Sequence, residues 1–209
     1  MKNRAYTEED KLKKRDGIIA AAKKLLTLGK FQLPSINQII DETGDAKGTV
    51  YLYFKTKEEI YLSLLAEGLK SMMKEVLNLI QSRPPNLPKK LAKKYTELAA
   101  AQPKIFYLAC IAPIILESNV SEEFIIAFKK SLLHDTNLIA QSMLDMGYFS
   151  NIRMARTKIL ITYNTFLGMW LHSHPPDSVL NILKKQNLLD LQYDFENEIS
   201  NSFERLFCN

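Results

Sequence analysis

Apolar residues recur every three or four positions along nearly the whole chain, and strand-like alternation between tight turns is hard to find, so the pattern predicts an all-α fold. A first helix is expected from about Asp10 to Leu28, carried by Ile18, Ala22, Leu25 and Leu26, with Gly29 placed for a left-handed C-terminal cap. Ser35 can cap a short second helix whose apolar face is Ile36, Ile39 and Ile40, and Gly44 breaks the chain before a third from about Ala46 to Tyr53. Thr56, with Glu59 three positions on, opens a long helix through Leu65, Leu69, Met72 and Val76 toward Ser82. The cluster from Arg83 to Pro88 stops it, because each proline removes a backbone donor and restrains the residue before it. Further helices are expected near Leu87 to Ala101, Pro103 to Glu117 with a kink at Pro113, Glu122 to Met146, Ile152 to His172, and Asp190 to Phe207.

Three short helices within about 45 residues, the last two separated by a glycine turn, read as a helix-turn-helix. Val50 and Phe54, four apart, would anchor the last helix to its neighbours and leave Lys47, Gly48, Thr49, Tyr51 and Tyr53 on other sides. A helix presented in this way can enter the major groove of a duplex, roughly 12 Å wide. Lys47 can donate to a phosphate or to guanine, Thr49 can meet a thymine methyl or a phosphate, and Gly48 permits close backbone approach. Tyr51, Tyr53 and Lys57 suit phosphates, Lys57 beside the backbone donors of a helix N-terminus. The candidate DNA-binding set is Ser35, Lys47, Gly48, Thr49, Tyr51, Tyr53 and Lys57.

The run Lys47-Gly48-Thr49-Val50-Tyr51-x-Tyr53-Phe54-Lys55-x-Lys57-Glu58-Glu59-Ile60, preceded by Gly44 and by a first helix ending in Leu26, Gly29, Lys30 and Phe31, resembles the N-terminal signature of the tetracycline-repressor (TetR) family of bacterial transcriptional regulators. The resemblance covers roughly residues 10 to 65. It implies a helix-turn-helix DNA-binding domain, residues 1–55, and an effector-binding and dimerising helical domain, residues 56–209. It also implies a homodimer on a short pseudopalindromic operator, usually a repressor, released when a small molecule occupies the second domain. Asp45 and Ala46 depart from the family, which usually has an apolar residue and a serine cap there. Asp45 is expected to take over as the cap of the reading helix.

In the second domain the resemblance implies that the last two helices meet their copies in a four-helix bundle. The charge-poor run around Ile161, Phe166, Leu167, Gly168 and Leu171, and the stripe Leu191, Phe195, Ile199, Phe203 and Leu206, fit such a seam. A ligand cavity among the central helices would draw aromatic and thioether walls from Phe106, Cys110, Met143, Tyr163, Phe166 and Trp170, with His134 as a polar group to orient the ligand. Tyr107 and Met169 would add to those walls, and Asn164, Thr165 and His172 are further polar groups able to orient a ligand. The composition favours an apolar or aromatic effector.

Composition narrows the remaining classes. The chain has 209 residues, 46% hydrophobic and 24% charged, enough to bury a core. Lys and Arg total 28 against 23 acids, and the bias is polar along the chain. Residues 1–60 hold 12 basic against 9 acidic side chains, residues 177–209 hold 3 against 6, so the first end is the one suited to a polyanion. Basic residues at the start, Lys2, Arg4, Lys11, Lys13, Lys14 and Arg15, could follow a DNA backbone or probe a minor groove. Cys110 and Cys208 have no short-spaced partner, which argues against a disulfide scaffold or thiolate zinc site and for a cytoplasmic protein. The least charged stretch, Ile159 to Pro176, is interrupted by polar residues, so no membrane span is expected. No P-loop, dinucleotide fingerprint, nucleophile elbow or His-Glu-x-x-His helix is present, and neither enzyme activity, cofactor nor metal is expected. The alternative is a helical adaptor binding a protein or membrane surface, which gives the Lys47 to Lys57 pattern no use.

Overall fold

The computed structural model describes residues 7–28 and 32–207, and among them every regular element is helical. The helices are α1 (Glu8–Leu25), α2 (Ile36–Thr43), α3 (Lys47–Tyr53), α4 (Lys57–Gln81), α5 (Leu87–Ala101), α6 (Pro103–Ile111), α7 (Glu122–Asp145), α8 (Ile152–Ser173), α9 (Asp177–Lys185) and α10 (Phe195–Phe207).

Local chemistry explains most boundaries. α1 begins two residues earlier than the apolar stripe suggests, because Thr7 and Asp10 cap each other: the Asp10 amide donates to Thr7 Oγ1 and the Thr7 amide to Asp10 Oδ2, both at 3.1 Å. It ends at Leu25, where Leu26 turns extended and is buried. The expected cap Gly29, with Lys30 and Phe31 of the signature and the basic Lys2 and Arg4, lies outside the described residues. Lys11, Lys13, Lys14 and Arg15 stand on α1 itself, and each forms an ion pair with an acid of its own chain. α4, 25 residues and about 38 Å long at 1.5 Å per residue, is the central strut, packed against α1, α5, α6 and α7.

Pro113 does more than bend a helix. It sits in a five-residue π-helical turn, Ala112–Leu116, followed by a 3-10 turn, Glu117–Asn119, which delivers the chain to α7. Past α8 the structure departs from the expected single helix beginning at Asp190. Pro176 and Asp177 at one end and Lys184 and Lys185 at the other frame α9, a separate helix with favourable charges at both termini. A 3-10 turn at Leu189–Leu191 follows, and Asp194 then starts α10, accepting the Asn197 amide at 3.2 Å.

The aromatic stripe of α10 faces inward. Phe203 is fully buried against Tyr95 of α5, ring centroids 5.8 Å apart, and Phe195 meets Phe166 of α8 at 5.5 Å. Ile199 and Phe203 therefore belong to the core of one chain rather than to an exposed seam, while Leu191 lies outside it, 69% exposed. The outward apolar residues of α8 are Met154, Leu160, Ile161 and Leu171.

Candidate nucleic-acid interface

α2 is fixed at both ends. Ser35 Oγ accepts the Gln38 amide at 3.3 Å and donates to Gln38 Oε1 at 3.0 Å, while Gln38 Oε1 also accepts the Ser35 amide. The Ser35 hydroxyl thus gives its proton to its own chain, and the residue serves as the cap of α2. At the other end Gly44 adopts φ 68°, a left-handed conformation costly for a side chain, and its amide closes on the Ile40 carbonyl at 2.9 Å.

That turn leads directly into α3. Asp45 does not cap it: the cap position is Ala46, with no side-chain bond, and the Asp45 carboxylate instead forms an ion pair with Lys14 of α1 at 2.7 Å. The acid that interrupts the family pattern is therefore matched by a cation, which reduces its repulsion toward an approaching phosphate. Val50 and Phe54 are buried, at 0% and 1% exposure, and clamp α3 to the domain. The Arg15 guanidinium lies 5.6 Å from the Phe54 ring centroid and its other side reaches Glu67 of α4 at 3.1 Å. The turn after α3 is held by Glu59, whose carboxylate accepts the Lys55 amide at 2.6 Å while its own amide donates to the Thr56 hydroxyl at 3.1 Å. The carboxylate reaches one residue further back than a capping box would take it.

With α3 clamped on one side, the other side is open. Lys47, Gly48, Tyr51 and Leu52 are exposed, Thr49, Tyr53 and Lys57 half-buried. Lys47 Nζ sits 5.9 Å from the Tyr51 ring centroid, and Lys57 Nζ 4.0 Å from the Glu58 carboxylate. Six of the seven sequence-derived residues thus gather around one short helix and the turn after it. Leu52, which the sequence reading passed over, is the most exposed large apolar side chain among the described residues, at 85%.

The proposed ligand residues do not form one site. A cavity of about 170 Å³ lies between α4, α7 and α8, walled by Leu65, Leu69, Met73, Leu132 and Leu167, with the ion pair Lys129–Glu117 (2.6 Å) among its lining groups. Of the sequence-derived set only Tyr163 lines it, joined by Asn164 of the same helix. Phe106, Phe166 and Trp170 are packed in the aromatic core, Phe106 to Phe166 at 5.4 Å and to Trp170 at 6.1 Å, and Met143 is fully buried away from the cavity. Cys110 bridges helices instead, its Sγ donating to the Leu167 carbonyl at 3.7 Å, and burial pushes its thiol up to about 11. His134 is exposed on α7 and absent from the cavity lining. Aromatic residues pointed to the core rather than to the cavity, because large rings fill space best where they can touch one another. The cavity walls are mostly aliphatic, with the rings of Phe128 and Tyr163 among them, and their helical spacing is the same as that of any core face.

Comparison with known proteins agrees with this architecture. Residues 18–64 match the family described as bacterial regulatory proteins, tetR family, and residues 65–207 match the tetracyclin repressor-like C-terminal domain. The chain belongs to the TetR family. A relative from Lactococcus lactis subsp. lactis, described as an uncharacterized HTH-type transcriptional regulator in the lacX 3' region, is 32% identical over 113 residues. That match spans 52% of this chain and only 57% of the relative's own length. Two solved structures share the fold at 22% identity: FadR from Bacillus halodurans, a fatty acid degradation regulator (TM-score 0.60, 93% of this chain and 94% of that one), and FadR from Bacillus subtilis in complex with stearoyl-CoA (TM-score 0.58, 92% and 96%). The N-terminal match runs from the second half of α1 through α2 and α3 and ends inside α4, where the C-terminal match begins. No single helix among the described residues is long and apolar enough to cross a membrane.

Proposed function

We propose that this chain is a cytoplasmic, homodimeric transcriptional repressor that binds operator DNA through α3 and releases it when a ligand fills the cavity between α4, α7 and α8. The observation that carries the reading is the arrangement of α3: two buried anchors on one side and an exposed polar and glycine surface on the other, on a helix short enough to lie in a major groove. Residues 1–55 act as the DNA-binding unit and residues 56–209 as the effector and dimer unit. Lys47, Gly48 and Thr49 address base edges, Tyr51, Tyr53 and Lys57 the phosphates. Two such units in one dimer would meet successive grooves ~34 to 36 Å apart.

The effector class is argued from the cavity lining, mostly aliphatic walls with the rings of Phe128 and Tyr163, a lysine and a carboxylate among them, which suits an amphiphile with an apolar tail and an anionic head. The stearoyl-CoA in the solved FadR complex supports an acyl compound as the first one to try. A route from cavity to DNA is available in two contacts. Leu65, Leu69 and Met73 of the cavity wall are on α4, and Glu117, also in the wall, shares a 3-10 turn with Asn119, whose carbonyl accepts the Thr56 hydroxyl at 3.2 Å at the start of α4. A ligand that displaces this turn alters the support of α4 beside the reading helix. Its differential affinity for the two arrangements is the coupling energy.

The test is selection from random duplexes with the full chain, followed by competition with acyl-CoA and free fatty acid. Enrichment of an inverted repeat, released by either compound, is the expected result. Failure to enrich any duplex overturns the DNA-binding reading, and an operator complex indifferent to both compounds overturns the effector class alone.

A further inference from the structure

Leu52 lies two positions from each of the anchors Val50 and Phe54, about 200° around a helix of 3.6 residues per turn from both. It therefore points directly away from the domain, on the same stripe as Gly48 four residues earlier. Single exposed leucines are ordinary on protein surfaces. This one differs in place and isolation. It is 85% exposed, its stripe neighbour has no side chain, and an added Cβ at Gly48 would meet no atom within 4 Å. The exposed positions beside it on α3 and in the turn after it are Gly48, Tyr51 and Lys55, and Leu52 with Tyr51 is far less apolar surface than a protein partner would need.

A leucine has no hydrogen-bonding atom, so it can neither hold a phosphate nor read a donor or acceptor on a base edge. The one apolar group that a base pair displays in the major groove is the thymine C5-methyl. Building on the DNA-binding reading above, we infer that Leu52 is a specificity-determining residue that selects a thymine in each half-site by packing on its methyl group. Gly48 lets the helix axis come close enough for a side chain of this length to reach the groove floor, and the polar residues around it fix the register.

The experiment uses the operator enriched by the full chain, with each thymine replaced in turn by deoxyuridine, which removes the methyl and leaves every hydrogen-bonding group. Binding is expected to weaken about three- to five-fold at one thymine per half-site, the effect of exposing one methyl-sized group. The Leu52→Ala protein should bind the thymine and uracil operators equally, and Leu52→Asn should enrich adenine at that position. Since Leu52 makes no core contact, circular dichroism melting of both variants should match the parent. Uniform tolerance of deoxyuridine by the parent protein overturns the inference, as does a Leu52→Ala protein that remains sensitive to the missing methyl. An enriched operator with either result leaves DNA binding intact, whereas no enriched duplex removes both readings together.

Discussion

Gly48→Ala separates what the protein needs from what its ligand needs. Nothing in the fold requires glycine there: the residue is in helix, its φ is not left-handed, and a Cβ would stand in open space. Alanine is favoured over glycine in helices by up to about 1 kcal/mol, part of it through the unfolded chain, so the variant should be no less stable. At ~2 to 4 °C per kcal/mol for a chain of this size, the melting temperature should stay level or rise by a few degrees. Operator affinity should move the other way. The added methyl stands on the outward stripe of α3, between the helix backbone and the groove, and should lift α3 off the bases. Loss of one base contact is worth ~1 to 3 kcal/mol, or about five- to 150-fold in affinity. Thermal melting and fluorescence anisotropy on the selected operator read the two halves. An affinity within two-fold of the parent would refute close backbone approach at Gly48, and a lower melting temperature would refute the claim that the space is free.

The other predictions address the surroundings of the site and the strut. Lys57→Ala should weaken binding to all duplexes alike and reduce the slope of log affinity against log salt by about 1.8, one phosphate contact in each half-site of the dimer; an unchanged slope in a salt titration would remove Lys57 from the interface. Tyr61 is fully buried and its hydroxyl finds no partner among the described residues, so Tyr61→Phe should preserve or raise stability in urea melts, by up to ~1 to 3 kcal/mol, and a clear loss would count against this packing. Gly68 of α4 is a close-approach position: a Cβ would lie 2.6 Å from Ile105 side-chain carbons of α6, so Gly68→Ala should cost ~1 to 3 kcal/mol, and an unaffected melt would show that α6 gives way freely. In a Cys208→Ser background, Cys110 should react with iodoacetamide far more slowly than a free thiol at pH 8, because its raised ionisation leaves ~100-fold less thiolate. The same shift means stability is unaffected below the ordinary thiol range and declines as the pH passes from 9 toward 11, since the unfolded chain there holds fewer protons.

Most helices, the turn at Gly44 and the buried stripe of α3 are legible in the residues alone, because these depend on interactions within a few positions. Ser35 with Gln38, Thr56 with Glu59, and the 3.6-residue stripe through Val50 and Phe54 are local chemistry legible in any context. α9 was not among the expected helices, although Pro176, Asp177 and the two lysines at its end suit one. Which member of each apolar stripe is used for what is set by packing between helices far apart in the chain. The same spacing describes Phe203, buried on Tyr95, and Leu171, open on α8; it describes Phe166 in the aromatic core and Leu167 at the cavity wall. Asp45 was legible as an anomaly, yet its partner Lys14 is 31 positions away, and Asn119, which meets Thr56, is 63 away. Periodicity reports that a face will be covered; which neighbour covers it depends on how helices distant in sequence pack, and that is decided only when the whole chain closes on itself.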